Sequence, residues 1–356
     1  LEASRRKDCR VVSLNWGPWG GGMVTEGLKK EFERLGVGLI SLEAGAQALV
    51  TELSVAPGGA VEILYGDGFP APPGSTSGAS SGTALLDINA SVEEFPCLAS
   101  HQAGGRPVGP VALQIEWFAQ AALQQQLGSR FRGLQQLQIL RPVALEQGQP
   151  VQLQVVASGD SRLELRHAHT GQVFSRVSVE LGPDLPAAPP MAGVNGLAQK
   201  RYAEPGAIYS QHLFHGPHFH AVQAVDGWSE GGLVARVGTL PKVSEWVRQP
   251  LRSDWVADPL ALDAALQLGI LWGIESLGKP SLPMVVGSYQ QFQRKYPKGG
   301  VEARLRVVRS SPSKIVASVD FVDDKGQLVA RLSDVEWTAD ASLKQAFSKE
   351  PASSLR

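Results

Sequence analysis

Polar and apolar residues alternate along most of this chain, and only a few windows switch to the helical period. CRVVSLNWG (9–17) is a short apolar run closed by a turn, and it reads as a strand. MVTEGLKKEFERLG (23–36) sets Leu28, Phe32 and Leu35 along one side of a charged helix. SLEAGAQALVTEL (41–53) is a second helix, with Ser41 as its N-cap. VEILYGDG (61–68) is a strand ending in a glycine turn. These elements make residues 1–68 a small α/β unit. Residues 69–84, FPAPPGSTSGASSGTA, hold little that can pack and read as a linker.

Beyond the linker the pattern repeats itself. One long helix is expected at about Val111–Leu127, followed by strand-like runs LQILRPVAL, PVQLQVVAS, SRLELRHA and QVFSRVSVEL. A second is expected at about Leu260–Ile274, followed by MVVGSYQQFQRKY, VEARLRVV, KIVASVDFVD and QLVARLSDVEWT. The proline-rich PDLPAAPPMAGVNG lies between them. The halves, about 85–185 and 200–340, share a pattern and not a sequence. A long helix wrapped by an antiparallel sheet, made twice, is an α+β arrangement. Residues 341–356 read as a polar tail.

Composition narrows the function classes. The chain has 356 residues, long enough for two or three cores, with 43% apolar and 19% charged positions. The formal charge of −1 points away from nucleic acid or a membrane surface as partner. The apolar runs look broken before transmembrane length. Cys9 and Cys97 stand far apart with no ligand motif, which fits a reducing, cytoplasmic setting. LEASRRKDCR has no long apolar segment after its basic residues and no initiator methionine. It is expected to be an internal edge of a larger protein and not a signal peptide.

Three stretches carry candidate chemistry. The first is His101-x3-Gly105-x4-Pro110. Histidine is the side chain best suited to take a proton near neutral pH. Gly105 allows positive φ and close backbone approach, and Pro110 suits a first helical turn. The helix after it presents Val111, Ile115, Phe118, Ala119 and Ala122 on one face, with free N–H groups at its start that suit a carbonyl oxygen. On spacing alone, His101 is equally a turn residue before an ordinary helix. The second is DPLALDAALQLGILW. Asp263 lies among apolar neighbours, where desolvation favours the protonated form of a general acid. Gln267, four residues on, shares its face. The alternative is an Asp on the solvent side of the helix. The third is HLFHGPHFH (212–220), four histidines in nine residues. Gly216-Pro217 breaks any register a metal site needs, so no metal is expected. The expected outcome is a loop that packs Phe214 and Phe219 inward and presents His215 to a pocket. A base in one half and an acid in the other suit removal of water from a 3-hydroxyacyl thioester.

Taken in order, His101-x3-Gly105-x4-Pro110, HGPHF at His215–Phe219, and Asp263-Ala-Ala-Leu-Gln267 resemble the dehydratase domains of polyketide synthases, over about residues 85–340. The resemblance implies a double hot-dog fold, with His101 as base and Asp263 as acid. It implies substrate contacts from Gly105, Pro110, His215, Gly216, Pro217, Phe219 and Gln267, with the Gly105 N–H on the thioester carbonyl. It implies a 3-hydroxyacyl chain on the phosphopantetheine of an acyl carrier protein, no further cofactor, neighbouring synthase domains as partners, and room for a homodimer. Two positions depart from the pattern. His215 stands where the family usually has Tyr in Y-G-P-x-F, and Gln267 stands where members often have His. SLNWGPWGGGMVTEGLKKEFERLG with SLEAGAQAL and VEILYGD is similar to the C-terminal end of a ketoreductase domain, most like those of polyunsaturated fatty acid synthases and related iterative synthases. It lacks a dinucleotide loop and a Tyr-x-x-x-Lys stretch. Other functions stay open on the sequence: a non-catalytic acyl-binding or scaffolding module, or a double-bond isomerase or product-shaping domain on the same fold.

Overall fold

The structure is a computed structural model. It describes residues 12–21, 29, 32, 38–53, 62–66, 84–126, 128–145, 149–159, 161–198, 202, 205–240 and 242–347. The expected helix over 23–36 falls outside these residues except at 29 and 32, as do the linker residues 69–83 and the end of the tail, 348–356. The chain divides into two compact units at Ser75/Thr76.

The N-terminal unit pairs β1 (Ser13–Trp16) in parallel with β2 (Glu62–Tyr65), and α1 (Leu42–Leu53) runs between them in sequence. Ser41 caps α1 as expected, its Oγ accepting from the Ala44 N–H at 3.1 Å. Trp16 stacks on Tyr65, with ring centroids 4.8 Å apart, and Trp19 packs beside Trp16.

The second unit holds one antiparallel sheet of 11 strands. Its first half supplies β3 (Ala84–Ala90), β6 (Arg130–Ile139), β7 (Val151–Ala157), β8 (Arg162–His167) and β9 (Val173–Gly182), around α2 (Val111–Gln125). A small hairpin, β4 (Gln102–Ala103) with β5 (Arg106–Pro107), precedes α2. The second half supplies β10 (Val222–Ser229), β11 (Gly232–Val237), β12 (Ser281–Gln291), β13 (Val301–Ser311), β14 (Lys314–Val322) and β15 (Leu328–Ala339). Its helices include the short α3 (Pro205–Gln211) and the long α4 (Pro259–Leu277), and a four-residue helical turn, Lys344–Phe347, follows β15. The strand order is β10-β11-β13-β14-β15-β12-β6-β9-β8-β7-β3. The halves join where β12 pairs with β6, from Val285 opposite Gln138 to Gln290 opposite Gly133. Each sheet half wraps its long helix, and α2 packs on α4 where the two meet. This is the α+β, double hot-dog architecture expected.

Several details differ from the expectation. The strand expected at 137–145 lies at Arg130–Ile139. Pro142 has no N–H to give a ladder, so pairing stops before it. Strands β3, β10 and β11 carry glycine or mixed polarity, and the apolar pattern does not mark them. Neither long helix is amphipathic. α2 buries Ala112 through Ala119 on every side, including Gln114 and Glu116, because sheet covers one flank and α4 another. α4 is apolar all round. By length and composition it reaches a membrane span, 19 residues with a mean hydropathy of 1.3 in its best window, yet most of it is buried inside this body. Its ends are set locally. The Asp258 carboxylate accepts from the Leu260 and Ala261 N–H groups, and Gly278 closes the helix at φ 66°. Nor is the region after β15 only a polar tail, since Phe347 is half-buried and sits edge-on to Phe214 at 5.0 Å.

Candidate active site

The site is assembled by a clip between the two halves. A 3₁₀ turn, Pro96–Ser100, delivers His101 from the first half, and a second 3₁₀ turn, Pro217–Phe219, follows His215 in the other. The Gly216 N–H donates to the Ser100 carbonyl at 2.7 Å, and Ser100 Oγ bonds His218 Nδ1 at 2.9 Å. A Cβ at residue 216 would lie 3.0 Å from both Ser100 Cα and Cβ, so any larger residue crowds the two turns and forces one of them to give.

The clip seats the His101 ring among Phe214, His215 and Phe219, all with centroids 5.1–5.2 Å away. His101 Nδ1 lies 2.7 Å from the Val108 carbonyl. A carbonyl only accepts, so Nδ1 carries the proton and Nε2 keeps the lone pair. Burial pushes this imidazole down to about 4, the Val108 bond opposing. It is therefore an uncharged base at neutral pH.

Asp263 sits just over one turn into α4 and is buried, 3% exposed. Burial raises its carboxyl to about 7, and the Gln267 amide pulls the other way. Gln267 Nε2 donates to Asp263 Oδ2 at 2.8 Å and to the Phe219 carbonyl at 3.0 Å. Oδ1 is left to hold the proton. His215 Nε2 lies 3.4 Å from Asp263 Oδ2. Burial, then the neighbouring His101 and His220, lower the His215 imidazole well below its ordinary value. Its Nδ1 is buried with no hydrogen-bond partner among the described residues. One ligating atom each of His101, His215 and Asp263 lie within 4.8 Å of one another.

The structure thus gathers His101, His215, Phe219, Asp263 and Gln267, with Gly216 and Pro217 forming the turn between them. Phe214 and Phe219 pack inward as expected. Pro110 is the N-cap of α2 and not a first-turn residue, with φ −64° and ψ 147°. Gly105 and Gly104 form the two-residue turn of the β4–β5 hairpin at φ 76° and 58°. That turn accounts for the glycine at 105 on local grounds. Sequence reasoning missed Tyr209, Glu116 and Trp246. Tyr209 Oη donates to Gln267 Oε1 at 3.0 Å and accepts the Val222 N–H at 2.7 Å. Trp246 backs Phe219, centroids 4.5 Å apart. Glu116 is fully buried in α2 and accepts from the Val256 and Ala257 N–H groups just before α4. Neither Tyr209 nor Trp246 belongs to a periodic or motif-bearing stretch, so no signal marked them.

A buried acid raised to about 7 and a base lowered to about 4, on two hot-dog halves joined in one sheet, define an acid–base enzyme of the double hot-dog class. Residues 74–176 match the family model described as polyketide synthase dehydratase domain, and residues 195–345 match that described as polyketide synthase dehydratase N-terminal domain. The chain belongs to the polyketide synthase dehydratase domains. A curated relative is a polyunsaturated fatty acid synthase subunit from Thraustochytrium sp., 30% identical over 287 residues. That match covers 77% of this chain and 10% of the relative, so the chain spans about a tenth of that protein's length. Among solved structures, the dehydratase domain from the CurF module of curacin polyketide synthase aligns with TM-score 0.59 at 15% identity, covering 76% of this chain and 98% of that one. The dehydratase domain of RzxB from Pseudomonas fluorescens aligns at 0.55 and 18%, covering 70% and 92%. At these identities the structures show the shared fold.

Proposed function

We propose that this dehydratase domain removes water from a 3-hydroxyacyl thioester carried on the phosphopantetheine of an acyl carrier protein, inside a multidomain synthase. The observation that carries the reading is the meeting of His101 and Asp263 with opposite shifts. His101 Nε2 is free to take the proton at C2. The electron pair moves into the C2–C3 bond as the C3–O bond breaks, and Asp263 gives its proton to the departing hydroxyl. The products are a 2-enoyl thioester and water, with the dyad left as imidazolium and carboxylate until a proton returns from one to the other. Donors at the start of α2 suit the thioester oxygen as charge builds there. Phe214 and Phe219 pack against the His101 ring and help keep water from it.

The reading needs no bound cofactor beyond the carrier's own arm. It carries with it a cytoplasmic setting and neighbouring synthase domains, with a homodimer allowed. The N-terminal unit, two parallel strands and a helix, fits a remnant of a ketoreductase. The test is mass spectrometry of 3-hydroxyacyl carrier protein incubated with this chain. Loss of one water, absent with His101→Ala and with Asp263→Asn, is the expected result. An unchanged acyl mass at every chain length, or equal turnover by the variants, overturns it. Conversion of a supplied 2-enoyl carrier protein to its 3-enoyl isomer, with the 3-hydroxyacyl form left unchanged, marks an isomerase instead.

A further inference from the structure

We propose that His101, His215 and Asp263 together form a binding site for a zinc-like divalent cation, and that the bound ion blocks the dyad. The ligands are one imidazole nitrogen from each histidine and one carboxylate oxygen. The binding follows from the geometry alone; its effect on turnover rests on the dehydratase reading.

Five observations carry it. Candidate ligand atoms from these three side chains all lie within 4.8 Å of one another. A tetrahedral ion with bonds of about 2.0–2.1 Å sets its ligands about 3.4 Å apart. His215 Nε2 and Asp263 Oδ2 already stand at 3.4 Å, so one edge of the tetrahedron exists, and the His101 ligand atom lies within 4.8 Å of both. His101 is oriented as a metal-bound histidine is, its Nδ1 tied to the Val108 carbonyl and its Nε2 unclaimed. Asp263 is likewise held from behind, by Gln267, which is itself fixed by the Phe219 carbonyl and Tyr209. Finally, His215 is 3% exposed and its Nδ1 has no hydrogen-bond partner among the described residues, so this ring is a buried polar group that the fold leaves unmatched. The histidine-rich tract alone does not make the site. It contributes one ligand, and chain folding brings the other two from the opposite half and from α4.

Two nitrogens and one oxygen suit zinc, whereas magnesium prefers an all-oxygen shell. An ion on His101 Nε2 takes the lone pair the base needs. The same ion holds Asp263 as a carboxylate, which has no proton to give. Zinc should therefore compete with the acyl substrate, and a chelator should restore turnover.

The test is isothermal titration of the chelator-treated protein with zinc chloride, and separately with magnesium chloride. The expected result is one zinc per chain and no magnesium binding. Zinc affinity should fall at least tenfold in His215→Phe, which keeps a buried ring, and in Asp263→Asn. Absence of zinc binding, or binding that both variants leave unchanged, overturns the site. Cobalt(II) added to the unmodified protein gives a reading that needs no variant. An intense visible band of a tetrahedral ion supports the site, and the weak band of an octahedral one overturns it. A protein that dehydrates its substrate and ignores zinc overturns this site alone. A protein that binds zinc and dehydrates nothing overturns the dehydratase reading and keeps the site.

Discussion

Gly216 and Ser100 meet backbone to backbone at 2.7 Å, and this contact between the two halves sets His215 beside His101. The side chain missing at 216 is what permits it. Gly216→Ala would drive a Cβ to 3.0 Å from the Ser100 main chain, which cannot swing aside as a flexible side chain would. Turnover should fall at least tenfold, with a melting temperature lower by several degrees. Kinetics and a thermal melt check this, and unchanged turnover would remove the clip from the account.

The dyad predicts a pH profile. The working state needs His101 neutral, above about 4, and Asp263 protonated, below about 7. Both conditions hold between these values, so kcat/KM should be broad and high there and fall as pH rises past about 7. The falling limb belongs to Asp263. A pH–rate measurement on the unmodified protein should place the midpoint of this limb near 7, and a flat rate through that region would argue against Asp263 as the acid.

Tyr209 predicts a positioning effect. In Tyr209→Phe the Val222 N–H loses its acceptor and Gln267 Oε1 loses its donor, both in the core. Leaving such groups unmatched costs about 1–3 kcal/mol. The variant should melt several degrees lower. It should also lose kcat more than KM, because Gln267 orients Asp263. Equal losses of stability and binding, with kcat kept, would argue against the role.

Glu116 predicts a pH-dependent stability. Burial raises both Glu116 and Asp258 to about 7, and each raised value lies above the 4.5 or 3.8 of the unfolded chain. The folded state then binds more protons than the unfolded one between about 4 and 7. Their contribution is fully present below that window and is lost as pH rises through it. Glu116→Gln should flatten this slope. It should also destabilise at all pH values, because a single amide oxygen replaces the two carboxylate oxygens that accept from Val256 and Ala257. Denaturant unfolding at several pH values is the measurement.

Much of the site was legible because local chemistry marks it. Asp258-Pro259 starts α4 and Gly278 ends it through their own backbone preferences, so the helix carrying Asp263 could be read in place. His101 and the HGPHF turn stand out by residue type. The strand register was less legible. β6 runs through Gly133, which reads as a break, and it is central because β12 lies against it. Helical period also misled at α2, where polar Gln114 and Glu116 suggest a wet face. They are buried because Ser175 and the Val256–Ala257 backbone meet them there.

What the sequence determined by itself was the kind of chemistry: a histidine to take a proton, an aspartate among apolar neighbours to give one, and two helix-and-sheet halves to carry them. These follow from residue type and period, which are local properties. The tertiary structure decided how far apart the two groups stand, how each is charged, and that His215 joins them. Those depend on burial and on contacts between distant segments. Desolvation acts on a group only when the whole fold excludes water around it, and no window of the chain contains that information.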